Sequence, residues 1–124
     1  MSETIKWEEK GVSLHFFGEL NLSDVTRCND EMYEDPRLDN AKYQLWDFSD
    51  VESVNMDADQ AKKPAVIDKG ASVSIPNLKV ALVAMDAQLV ELCNQYIETS
   101  TKMHSSWEFY LCDKVEDAKK WISP

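Results

Sequence analysis

The stretch Tyr43-Gln44-Leu45-Trp46-Asp47-Phe48-Ser49-Asp50-Val51 decides how the rest of the chain is read, because a short apolar run there breaks off into residues typical of turns. An apolar run of this length bounded by turn residues predicts a buried strand over Ala41 to Asp47. The residues from Asp57 onward have helical character, with Asp57 placed to cap the helix and Gln60 placed to reach back in a capping box. The segment Ser49 to Met56 is then a β-to-α joint. Open α/β sheets keep ligands and partners at such joints, beyond the carboxyl ends of their strands.

Working outward, Thr4 to Glu8 and Val12 to Leu20 both alternate apolar and polar residues around a turn at Lys10-Gly11, which predicts a β-hairpin. Asn21 or Ser23 caps a helix that carries Val25, Cys28, Met32 and Tyr33 at helical spacing and ends at Asp35-Pro36. Ala58, Ala61 and Ala65 form a small-residue stripe on the helix after Asp57; Pro64 kinks or restarts it, and Gly70 is its expected end. Leu78 to Met85 is nearly continuous in apolar character, as expected of a strand in the middle of a sheet with helices on both faces. Asp86 caps a helix with an apolar face of Leu89, Leu92, Cys93, Tyr96 and Ile97. A last strand, Trp107 to Cys112, and a short helix from Lys114 to Ile122 close the chain. The order β-β-α-β-α-β-α-β-α predicts one α/β domain over residues 1–124, with a mixed, mostly parallel sheet of about five strands.

Composition narrows the function. A formal net charge of −10 disfavours nucleic acid and anionic membrane surfaces, and no run is long and apolar enough to insert in a bilayer. The stretch Met1 to Lys6 lacks the basic opening and apolar centre of an export signal, so a cytoplasmic location is the default expectation. Cys28, Cys93 and Cys112, odd in number and without CxxC spacing, read as free thiols in a reducing compartment. His15 and His104 have no ligand-spaced partners, glycine is too scarce for a phosphate-cradling loop, and no cofactor is expected.

Several residues then carry a family resemblance. An opening hairpin with Gly18-Glu19-Leu20, the strand end Trp46-Asp47-Phe48, the apolar strand Val80 to Val83 and the closing Glu116-Asp117-Ala118-Lys119-Lys120-Trp121-Ile122 together resemble the SpoIIAA-like (STAS/SEC14-type) proteins, small bacterial domains related to anti-sigma factor antagonists. The last piece is similar to the family's acidic-acidic-Ala-x-x-Trp helix. The resemblance implies a regulatory domain. In the antagonists a serine at the start of the second long helix is phosphorylated to release a kinase-like partner, but the matching Val54-Asn55-Met56-Asp57-Ala58 has neither serine of that pattern. The similar lipid-binding domains hold an apolar ligand between sheet and a movable helix. Here Ala58 to Ile75, with its small side chains, Pro64 and Gly70, is the segment expected to form such a lid.

The resulting expectation is a non-catalytic cytoplasmic module that binds a protein partner or an apolar small molecule at the rim after strand 41–47. Trp46 and Phe48 supply apolar contact, Asp50 and Asp57 charge and capping, and Ser53, Met56 and Ala61 complete the candidate site. Pairing of two copies through an exposed helix or edge strand suits a domain of this kind. The alternative is an enzyme that uses the rim aspartates Asp47, Asp86 and Asp113 with a divalent metal, or a reactive thiol. Against it, Asp86 and Asp113 read first as helix caps, and Cys93 and Cys112 as small buried hydrophobes.

Overall fold

A computed structural model describes residues 3–123. Met1 and Ser2, part of the amino-terminal stretch read above for an export signal, lie outside the described residues. The chain opens with β1 (Glu3–Trp7) and β2 (Gly11–Asn21), paired antiparallel from Glu3 opposite Phe16 to Trp7 opposite Val12. Gly11 is dictated by close approach: a Cβ there would lie 2.6 Å from the Tyr43 ring on the next strand. Asn21 then caps α1 (Leu22–Glu34) by accepting the Asp24 N–H, and Asp35-Pro36 ends that helix in a short 3-10 turn over Pro36–Asn40.

Strand β3 (Tyr43–Asn55) is followed by α2 (Ala58–Ser74), β4 (Lys79–Val83), α3 (Ala87–Lys102), β5 (Glu108–Cys112) and α4 (Val115–Ile122). The five strands lie in the order β1-β2-β3-β4-β5, with every pair after the hairpin parallel. Gln44 stands opposite Val80 and Val80 opposite Phe109, so the three apolar strands are co-directional neighbours and β4 is interior, as its continuous apolar character predicted.

The largest departure from expectation is in β3. The strand continues through the predicted joint at Ser49 to Met56 as far as Asn55, pairing all the way with β2. Between the His15–Asp47 and Phe17–Asp50 pairs, β2 advances by two residues and β3 by three; between Gly18–Val51 and Glu19–Ser53, β2 advances by one and β3 by two. Each extra residue is a bulge, which lets a strand bend while keeping its pairing. Gly18, with φ of 73°, occupies the left-handed region between the two irregularities. Phe48, Val51 and Val54 therefore recur every third residue yet all pack against the same core.

Helix α2 also differs. It continues past Gly70 to Ser74, and Pro64 neither restarts nor ends it. Gly70 is exposed with nothing near the place a Cβ would take, so no local contact calls for the helix to stop there. Val66, Ile67 and Val73 point outward, which blurs the apolar face that would have marked the helix in the sequence. The predicted cap at Asp113 also fails: Lys114 is the N-cap of α4, without a side-chain cap bond.

The sheet has two unlike faces. Helices α1, α2 and α3 cover one, over a core that includes Leu14, Phe16, Met32, Trp46, Val80, Leu82 and Leu89. Helix α4 covers part of the other, setting Ala118 against Leu45, Ala81 and Val83. Helix α2 packs chiefly on α3 and α1, and so roofs the first face at a distance from the strands.

Candidate functional site

Beneath that roof lies a chamber of about 70 Å³. Its floor is Trp46 and Phe48 of β3 and Val80 and Leu82 of β4; its walls are Val25 and Asn29 of α1 and Leu89, Leu92, Cys93 and Tyr96 of α3; Ala61, Pro64 and Asp68 of α2 close it above. The floor is backed by Phe16, which stacks on Trp46 at 5.6 Å between ring centroids and contacts Phe48 at 5.0 Å. The Trp46 indole N–H donates to Gln44 Oε1 at 2.9 Å and so leaves only hydrocarbon toward the chamber. The space persists because the roof residues Ala61 and Pro64 are too small to fill it, and α2 has no large side chain directed at the sheet there.

One carboxylate breaks the apolar lining. Asp68 is 4% exposed, and it accepts the Tyr33 hydroxyl of α1 on Oδ1 and the Tyr96 hydroxyl of α3 on Oδ2, the latter at 2.6 Å. Three helices thus meet at a single side chain. Burial pushes the Asp68 carboxyl up from 3.8 to about 6, against the pull of the two tyrosine hydroxyls. Burial likewise drives both tyrosine hydroxyls well above their ordinary range, so they remain donors. Asn29, 2% exposed, lines the same chamber, and its Oδ1 has no hydrogen-bond partner among the described residues.

The carboxyl-terminal half of α2 is tied down. Trp107 Nε1 donates to the Ile75 carbonyl at 2.6 Å, Ser106 Oγ to the Ser72 carbonyl at 3.0 Å, and Lys69 Nζ to the His104 carbonyl at 3.2 Å. The amino-terminal end holds itself: Asp57 Oδ1 accepts the Gln60 N–H at 2.8 Å while Gln60 Oε1 accepts the Asp57 N–H at 3.0 Å, the predicted capping box.

The seven residues singled out in the sequence divide between two places. Trp46, Phe48, Met56 and Ala61 line the chamber, where Trp46 and Phe48 form its buried floor. Asp50, Ser53 and Asp57 are exposed and do not join them: Asp50 takes the His15 ring nitrogen at 2.6 Å on the sheet, Ser53 lies on β3, and Asp57 is a cap. Sequence reasoning missed Asp68 and Asn29. A signal existed for Asp68, since Ala61, Ala65, Asp68 and Ser72 recur at core spacing along α2 and all are buried.

The residues of the enzymatic alternative are placed for other work. Asp47 Oδ1 accepts the Ser49 N–H, and Asp86 caps α3 through the Gln88 and Leu89 amides. Among the described residues, no three His, Cys, Asp or Glu side chains gather in a cluster suited to a metal ion. Burial pushes the thiols of Cys28 and Cys93 up to about 12, the opposite of activation, and raises that of Cys112.

With this geometry in place, comparison with solved structures returns a protein of the DUF3478 family from Shewanella loihica PV-4, described as having a SpoIIAA-like fold. The two chains align over 98% of this one and 93% of that one, with a TM-score of 0.54 and 12% sequence identity. The fold is SpoIIAA-like. The resemblance read from the hairpin, the strand ends and the closing helix is therefore borne out at the level of fold, as is the mixed five-stranded sheet. No protein-family profile matches the chain, and no curated protein is similar to it. Among the described residues, no helix of this SpoIIAA-like domain is long and apolar enough to cross a membrane.

Proposed function

We propose that this SpoIIAA-like domain is a non-catalytic binding module that takes a small, mainly apolar molecule into the chamber under α2. The observation that carries this reading is the chamber itself: a cavity roofed by the small residues of one helix, floored by aromatic rings and lined almost wholly by hydrocarbon. Ligand sites of this kind are concave, mostly apolar and carry few polar groups. At about 70 Å³ it offers roughly half the room of the 150 Å³ cavity that admits benzene, so it accepts an occupant of a few heavy atoms. The depressed reactivity of the thiols and the capping duties of the aspartates accord with binding without turnover.

Xenon, a rigid apolar probe, tests the reading. Methyl resonances of Val25, Val80, Leu82, Leu89 and Leu92 should shift saturably under xenon pressure, while those of Val66 and Val73 on the outer surface of α2 stay still. Shifts that never saturate, or that fall equally on inner and outer methyls, would sink the proposal.

The exposed apolar residues of α2 favour a second reading, in which a protein partner docks on the helix. Val66, Ile67 and Val73 are 58%, 48% and 75% exposed along its outer side, beside Lys62 and Lys63.

A further inference from the structure

The chamber has a polar end that hydrocarbon does not satisfy, and what it lacks is a positive charge. Asp68 is buried, and among the described residues its hydrogen-bond partners are two neutral tyrosine hydroxyls. No cationic side chain among the described residues pairs with it; Lys69, its neighbour in the helix, turns away to the His104 carbonyl. An ionised carboxylate offers about four acceptor positions, of which the tyrosines take two. Asn29, which lines the same chamber, adds a buried Oδ1 that has no hydrogen-bond partner among the described residues. Leaving a buried acceptor unpaired and a buried charge uncompensated is costly, so each group alone favours a donor, and together they favour a charged donor.

We propose that the occupant of this chamber is a small alkylammonium, a protonated primary amine on a short apolar chain, whose ammonium group hydrogen-bonds to the Asp68 carboxylate and to Asn29 Oδ1. The inference rests on the chamber being a ligand site and names the chemistry of its ligand. An ammonium group brings three donors and no acceptor, which matches two acceptors carried by residues that line one apolar space. A neutral alcohol would satisfy one acceptor and leave the charge uncompensated. A carboxylate would be repelled.

Binding should follow the ionisation of Asp68. The groups that face it are Tyr33 from α1 and Tyr96 from α3, with the Cys93 thiol nearby on α3; all three stay neutral through the physiological range. Asp68 itself titrates near pH 6, so the site is charged at pH 7.5 and mostly neutral at pH 5.

The test is a melting titration with n-butylammonium chloride, n-butanol and sodium butyrate at matched ionic strength, at pH 7.5 and pH 5. At pH 7.5 butylammonium should raise the midpoint saturably and bind at least about tenfold more tightly than butanol, the scale of one charge-assisted hydrogen bond, while butyrate has no effect. That preference should shrink about tenfold at pH 5, where butylammonium keeps its charge and Asp68 loses its own. Asp68→Asn should abolish the preference. Should that variant fold poorly, Asn29→Ala, which removes the unpaired acceptor without touching the carboxylate or filling the chamber, should still weaken butylammonium binding more than butanol binding.

Equal binding of the amine and the alcohol overturns the ammonium assignment and leaves the apolar-ligand reading standing. So does an amine preference that is undiminished at pH 5 or in Asn29→Ala. If butanol, butylammonium and xenon all fail to bind, the chamber is not a ligand site and both readings fall, with Asp68 serving only to tie three helices together.

Discussion

The two faces of the sheet were built from similar materials to opposite ends. Under α4 the contact is direct: Ala118, fully buried, lies on Leu45, Ala81 and Val83, and Trp121 stacks on Tyr110 at 5.2 Å between centroids. Under α2 the alanines face a gap, and the helix is held off by its neighbours and by the hydrogen bonds of Asp68. The same small residue closes one interface and opens the other. What differs is whether the helix reaches the strands, and that depends on the polar tie to α1 and α3.

The largest effect that would break this contrast comes from Asp68. Its carboxyl is raised by burial from 3.8 to about 6, so it binds its proton more tightly in the folded chain than in the unfolded one. Its contribution is therefore fully present below about pH 4 and lost as pH rises through about 6. At 1.36 kcal/mol per pH unit, the change amounts to roughly 3 kcal/mol. Glu8, Asp35 and Glu98 are shifted downward and act with the opposite sign, so the readout is the difference between the parent chain and Asp68→Asn in urea melts from pH 4 to pH 7. That difference should move against the parent as pH rises; a flat difference would show that Asp68 does not titrate in this window.

A matched pair of overpacking variants sharpens the contrast at a smaller scale. Ala118→Leu should cost about 1–3 kcal/mol of stability, because the added carbons have nowhere to go. Ala61→Leu should cost less than about 1 kcal/mol, since its side chain enters an existing void, and it should abolish xenon binding. Thermal melts of the two variants side by side decide it, and equal losses would mean the chamber is no looser than the α4 interface. The smallest effect expected is from Asp57→Ala, which removes half of the capping box and should lower stability by about 1 kcal/mol in a chemical melt without changing ligand affinity.

Much of this architecture was legible in the residues because local chemistry and global packing agreed. The hairpin, the caps at Asn21, Asp57 and Asp86, and the interior strand around Val80 all lie where alternation and capping chemistry put them. The failures have a common cause, which is that the signal was periodicity and the structure departs from a fixed period. Two bulges carry Phe48, Val51 and Val54 on one core at intervals of three, so β3 looks finished eight residues before it is. Outward-facing Val66, Ile67 and Val73 disguise the buried side of α2. Of the candidate site, the hydrophobic floor at Trp46 and Phe48 could be named, because bulky aromatics at a strand end announce themselves. Its polar end could not, because Asp68 among Asp57, Asp59, Lys62, Lys63 and Lys69 looks like one more solvated charge until three helices are brought around it.

Because one carboxylate holds α1, α2 and α3 at once, no one of these helices can leave the sheet without cutting bonds to another. Their backbone amides should therefore exchange with deuterium as a single cooperative unit, and loss of the proton from Asp68 should loosen all three in concert while α4 keeps its own, independent clock.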